Sequence, residues 1–255
     1  MSARISTPSR RWAAVGAIVA LLVALVAAGI AIGKGSSGSS SGTQASADPQ
    51  PAYDPQQATY DKLEQATSRR QLGDPLATGS PHAPVVLVEY ADYQCSYCGR
   101  FTRETQPELF AKYVDAGVLR IEFRNFPIFG KDSERAARAS WAAGKQGRFW
   151  QFHSLLFAEH RKGDALAEDK LAALARSAGV ADLEKFRADL GSDEAAAAVK
   201  KDQEEGYSLG VQSTPSFLVG GRPLAGAQPL KEFEAAIAQA RAVKEAAAAS
   251  GKAGR

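Results

Sequence analysis

The chain holds two cysteines, spaced as Cys95-Ser96-Tyr97-Cys98. With no third cysteine, all thiol chemistry falls on this one pair. Two intervening residues put the second sulfur about one helical turn after the first, within disulfide reach. If a helix starts at Cys95, its first free N–H groups and its N-terminal charge of roughly +0.5 stabilise a thiolate there. Cysteines in such positions ionise at about 3.5–7.5, against about 8.5 for a free cysteine. The pair then suits thiol–disulfide exchange, with Cys95 as the exposed sulfur that attacks or is attacked. Cys98, one turn in and facing inward, resolves the mixed disulfide.

Other uses of the pair are weaker. A structural disulfide here would close only a tiny loop, and loop-closure stabilisation grows with loop length. A zinc site needs about four ligands, and no second pair of cysteines exists. The histidines are His82, His153 and His160; the last two lie in an apolar, aromatic stretch and suit core or surface positions. No metal and no organic cofactor is expected. The net charge is +3 and opposite charges are interspersed, which indicates a solvated surface and no nucleic-acid partner.

The elements around the pair can be read from hydropathy. Residues 58–71 suit a short helix ended by Gly73-Asp74-Pro75. Val85-Val86-Leu87-Val88-Glu89-Tyr90 reads as a buried central strand, with Glu89 its one carboxylate. A helix from Cys95 toward Tyr113 is interrupted by Pro107. Residues 119–126 alternate Leu119, Ile121 and Phe123 with Arg120, Glu122 and Arg124, giving a second strand. Strand, helix, strand in this order favours a parallel βαβ unit. Residues 131–209 read as helical throughout, with Asp164 and Ser192 as candidate caps. Then Ser213-Thr214-Pro215 leads into a strand at 216–219, Gly220-Gly221 makes a hairpin turn, and 222–225 returns. Pro229 opens a last helix.

The ends differ from this body. Residues 12–33 carry no charge, while Arg4, Arg10 and Arg11 precede them and no acid occurs before Asp48. The twenty residues 13–32 span about 30 Å as a helix, the thickness of a hydrocarbon core. The positive-inside rule keeps residues 1–12 in the cytoplasm and exports the rest. A retained anchor over 13–33 is favoured over a cleaved signal peptide, whose apolar core is about 7–15 residues. Residues 34–57 are rich in Gly, Ser, Pro and Gln and form a flexible tether. One folded domain at 58–245 follows, and 246–255 is expected to be a disordered tail.

The segments VVLVEYADYQCSYCGRF, QGRFWQFHSLLF and GVQSTPSFLVGGRPLAGAQP together resemble the DsbA-like family of oxidoreductases. The order β-α-β, helical block, β-β-α is similar to a thioredoxin fold with a helical insertion between its halves, here at about 131–209. The resemblance implies that Cys95 is the nucleophile and Cys98 the resolving cysteine. It implies that Pro215 is a cis-proline, with Thr214 before it, Ser96 and Tyr97 contacting substrate. It also places a buried carboxylate at Glu89, able to exchange a proton with Cys98; the other reading of Glu89 is a strand-edge residue facing solvent. Family members often carry proline and then histidine or an aromatic in the spacer, and Ser96-Tyr97 departs from that. The implied enzyme is a monomeric protein disulfide oxidoreductase of the bacterial cell exterior. It would oxidise reduced, unfolded exported proteins and be reoxidised by a membrane quinone-linked partner. A reductase or isomerase would use the same pair. A non-catalytic client-binding module would instead show an exposed Cys95 of ordinary acidity.

Overall fold

The computed structural model describes residues 55–253. The expected cytoplasmic segment 1–12, the anchor 13–33 and most of the tether 34–57 lie outside the described residues. Among the described residues no helix is long and apolar enough to cross a membrane. In chain order the elements begin with α1 (Gln57–Thr67), β1 (Ala77–Thr78), β2 (Val85–Ala91) and α2 (Ser96–Glu104). Next come α3 (Gln106–Leu109), a π-helical turn (Phe110–Val114) and β3 (Leu119–Asn125). The insertion comprises α4 (Lys131–Gly144), α5 (Phe149–Phe157), α6 (Glu168–Ser177), α7 (Leu183–Gly191) and α8 (Asp193–Ser208). Strands β4 (Ser216–Val219) and β5 (Arg222–Ala225) and helix α9 (Leu230–Ala253) complete the chain.

The sheet order is β1-β3-β2-β4-β5. Central β2 runs parallel to β3, with Glu89 opposite Phe123, and antiparallel to β4, with Glu89 opposite Phe217. The expected parallel βαβ unit is therefore present. The two-residue β1 on the β3 edge has no signal in the sequence, being too short for periodicity. Every residue of β2 is buried because helices cover both faces. Val85 and Leu87 pack with Phe101 of α2 and with Phe233 and Ile237 of α9. Val86, Val88 and Tyr90 point the other way, against Leu63 of α1, Phe126 and Leu209. At the hairpin turn Gly221 has φ +79°, and a Cβ there would lie 1.9 Å from the Tyr60 carbonyl oxygen of α1. Only glycine permits that approach.

Several boundaries differ from the sequence reading. Helix α1 stops at Thr67 instead of running to 71, because the Arg69 and Arg70 N–H groups turn to donate to the Glu122 carboxylate at 2.9 and 2.8 Å. Asp164 is not a cap; it lies inside a 3₁₀ turn (Gly163–Leu166), and α6 starts from Ala167 with no side-chain cap. Ser192 does cap α8, accepting from Ala195 N at 3.1 Å. The last helix runs on to Ala253, beyond the boundary expected at 246. The alanine run there has the highest helix propensity of any residue type.

The charged side of β3 is buried like its apolar side. Arg124 bonds Glu205 at 2.8 Å and Glu122 at 3.0 Å, and Arg120 bonds Glu122 at 2.8 Å. Arg69 adds bonds to Asp202 at 2.7 Å and Glu205 at 2.9 Å. Helix α8 thus closes over this face through mutually neutralised charges.

Candidate active site

Strand β2 ends at Ala91 and the chain turns through Asp92, Tyr93 and Gln94 into α2. The Asp92 carboxylate fixes this turn. One oxygen accepts from Gln94 N (2.7 Å) and Ser133 Oγ (2.6 Å), the other from Ile128 N (2.6 Å) and Phe129 N (3.1 Å). Cys95 occupies the N-cap with extended backbone, and Gly99 N donates to its carbonyl at 3.1 Å. The pair therefore sits at a helix start that follows a strand and a short loop. No acid occupies the first turn of α2, so nothing there offsets the helix N-terminal charge.

Both cysteines are free thiols, and their environments push them apart. Cys95 is lowered to about 6, chiefly by a hydrogen bond from the Cys98 thiol. Burial opposes this, while the Thr214 side chain and the N–H groups of Cys98 and Tyr97 add to it. Cys98 is fully buried and raised well above the ordinary thiol value by desolvation. Cys95 itself is only 5% exposed, which corrects the expectation of an exposed sulfur. It lies in a cleft of about 480 Å³ whose wall includes Tyr97, Ile128, Phe129 and Thr214.

The Thr214–Pro215 peptide is cis. Its geometry brings Thr214 O to 3.2 Å from Cys95 Sγ. A thiol can donate to that carbonyl and a thiolate cannot. The Thr214 hydroxyl, buried and without a partner, is free to rotate and donate to the sulfur once it ionises. Ser96 and Tyr97 flank the cleft; Tyr97 is 58% exposed and the Arg100 guanidinium lies 5.3 Å from its ring centre.

Glu89 does not face solvent. It is 0% exposed, neither carboxylate oxygen has a hydrogen-bond partner, and desolvation lifts its carboxyl to about 8. Alternation along β2 puts Glu89 on the same face as Leu87 and Ala91, toward α2. Its charge is felt at Cys98 and at the buried Tyr93. Beside Tyr93, His153 is a core residue ringed by Phe123, Phe149, Trp150 and Phe157. Desolvation lowers its pKa to about 3, so it is neutral.

Four further residues belong to this neighbourhood that spacing alone does not reveal. Asp92, Phe129, His160 and Lys162 come from the turn, the β3–α4 loop and the segment after α5. His160 Nε2 lies 3.0 Å from Gln94 O. Asp92 and Phe129 reach the site from the turn and the β3–α4 loop, and the insertion brings His160 and Lys162 to the cleft. No group of residues suited to a metal ion occurs among the described residues.

The family model described as thioredoxin matches residues 71–239. The probable disulfide bond formation protein D of Bacillus cereus is 34% identical over 148 residues, covering 56% of this chain and 68% of that protein. The disulfide bond formation protein D of Bacillus subtilis is 30% identical over 159 residues, covering 59% and 72%. The chain belongs to the thioredoxin family, as a DsbA-like protein disulfide oxidoreductase. Among solved structures, the oxidised BdbD of Bacillus subtilis matches this DsbA-like chain with TM-score 0.62 and 28% identity, covering 66% of it and 93% of BdbD.

Proposed function

We propose that this DsbA-like protein is an extracytoplasmic dithiol oxidase that introduces disulfides into exported proteins through Cys95 and Cys98. One observation carries the reading: Cys95 is lowered to about 6 while its partner is raised. A stabilised thiolate stabilises the reduced enzyme, and that makes the oxidised enzyme an electron acceptor. A non-catalytic module would have no use for this asymmetry.

The steps follow from the two environments. A client thiolate attacks Cys95 Sγ of the disulfide, forming a mixed disulfide and expelling Cys98 sulfur. That sulfur cannot stay ionised in its buried site. Glu89, still protonated at neutral pH because its pKa is about 8, supplies the proton. A second client thiolate then attacks the client sulfur of the mixed disulfide. Cys95 leaves as a thiolate, a good leaving group because its pKa is low. The client loses two electrons and the enzyme pair gains them. Thr214 and the cis-Pro215 backbone hold the client chain beside Cys95, and Ser96 and Tyr97 form the other side. No cofactor takes part. A membrane quinone-linked partner withdraws the electrons, and residues 13–33 tether the monomer to the bacterial membrane, N-terminus in the cytoplasm.

The test is the reduction potential of the pair in the full-length protein, measured by equilibration with glutathione redox buffers. A value of about −120 mV, as for strong oxidases, supports the oxidase. The uncharged spacer Ser96-Tyr97 favours a weaker oxidant, and a value of about −270 mV would make the protein a reductase instead.

A further inference from the structure

The cleft over Cys95 has a charge pattern that the exchange mechanism does not require. Among the described residues its lining includes one cationic side chain, Lys162, beside the His160 imidazole and several neutral amides and hydroxyls, and no carboxylate. Lys162 and His160 are exposed, and Lys162 makes no ion pair among the described residues. Outside the lining, the Arg100 guanidinium lies 5.3 Å from the centre of the Tyr97 ring, held by a 2.6 Å bond to Ala227 O.

The nearby acids lie outside the lining, including Asp164, which is exposed two residues after Lys162. Asp92 is buried, and its charge is taken up by four donors. Glu159 lies 3.5 Å from Arg161 and Asp132 lies 3.1 Å from Arg135. The N-terminus of α2 adds a further positive end with no acid in its first turn. In the oxidised enzyme Cys95 itself is uncharged, so the lining presents Lys162 and no carboxylate to an approaching client.

We propose that this cleft selects client cysteines flanked by acidic residues, with Lys162 the selecting group. The proposal deepens the reading of Cys95 as the site of exchange with protein thiols, and it holds whichever way the electrons run. A carboxylate beside the client sulfur meets Lys162 at the rim while the sulfur reaches Cys95 on the floor. The apolar part of the wall, Ile128, Phe129 and Tyr97, accepts any chain and gives no such preference.

The test uses the full-length oxidised protein and three dithiol peptides that differ only at the positions flanking one cysteine, which carry Glu, Gln or Lys. Each rate is divided by that peptide's rate with hydroxyethyl disulfide, which removes differences in intrinsic thiol reactivity. At low ionic strength the Glu peptide is expected to react about three- to fivefold faster than the Gln peptide, and the Lys peptide slower. In 1 M salt the three rates converge, because screening then acts within about 3 Å. Lys162→Glu reverses the order. Equal rates at low salt, or an order unchanged by Lys162→Glu, overturn the proposal and leave the exchange reading standing. A pair that exchanges with glutathione but with none of the peptides overturns both.

Discussion

Cys95 Sγ lies 3.2 Å from the carbonyl oxygen of Thr214, the residue whose peptide bond to Pro215 is cis. Residues far apart in sequence thereby share control of one sulfur. The thiolate gains first from Cys98 and also from the Thr214 side chain. Titrating the rate of Cys95 alkylation by iodoacetamide should therefore give a midpoint near pH 6, with the rate falling below it as the thiolate is protonated. Thr214→Val should move the midpoint up, and Cys98→Ala should move it up further because that bond is the larger cause. A midpoint unmoved by both substitutions would leave the helix N-terminus as the dominant influence.

Glu89 makes the opposite demand on the fold. Its folded pKa, about 8, exceeds the ordinary 4.5. Its contribution to stability is thus complete below about pH 4.5 and lost progressively as pH rises toward 8. Glu89→Gln removes that loss. Denaturant titrations of the reduced protein should show the variant gaining roughly 3 kcal/mol relative to wild type between pH 4 and pH 7. The same substitution removes the proton donor to Cys98 and should slow reduction of the disulfide by a dithiol peptide about a hundredfold. A variant as fast as wild type would take Glu89 out of the proton transfer.

How far the sequence carried depended on the range of the interaction. The strand at 85–90, the Pro107 break, the insertion at 131–209 and the Gly220-Gly221 hairpin all have local signals, and all four are in the structure. Cys95 and Cys98 could be picked by spacing, and Glu89 by its oddity in an apolar run. The isomer of the Thr214–Pro215 bond has no local signal, since about 5–6% of such bonds are cis. Nor had the burial of Arg120, Glu122 and Arg124, because the Arg124 partner Glu205 lies 81 residues on and the Arg69 and Arg70 N–H groups that meet Glu122 lie 53 and 52 residues back. His160 and Lys162 could not be tied to Cys95 at all, as the tie is the docking of the insertion.

His153 should give the protein an acid limit. Its pKa falls from 6.5 to about 3 through burial among aromatic rings. Its stabilising contribution is whole above about pH 6.5 and is lost as pH falls toward 3, where the unfolded chain takes the proton that the core refuses. His153→Phe should abolish that part of the pH dependence. Wild type is expected to lose roughly 3 kcal/mol more than the variant between pH 7 and pH 4. Parallel pH profiles for the two proteins would mean that His153 is protonated in the folded state.

The ion network on the far face of β3 should matter for stability and leave exchange untouched. Arg124 is 0% exposed and is held between Glu205, Glu122 and the Thr67 carbonyl. Arg124→Met fills much of the same volume but leaves Glu205 and Glu122 each short of a partner in a site where water does not reach. Removing one member of a buried ion group costs about 3–5 kcal/mol, mostly because the surviving charge is stranded. Urea unfolding at pH 7 should show a loss of that size. The cleft lies on the α2 face of the sheet and the network on the other, so peptide oxidation per folded molecule should be unchanged. A loss below about 1 kcal/mol would mean that the network behaves as a surface pair does. A fall in the exchange rate would mean that the strand transmits the change to Glu89, whose cross-strand neighbour Phe123 immediately precedes Arg124.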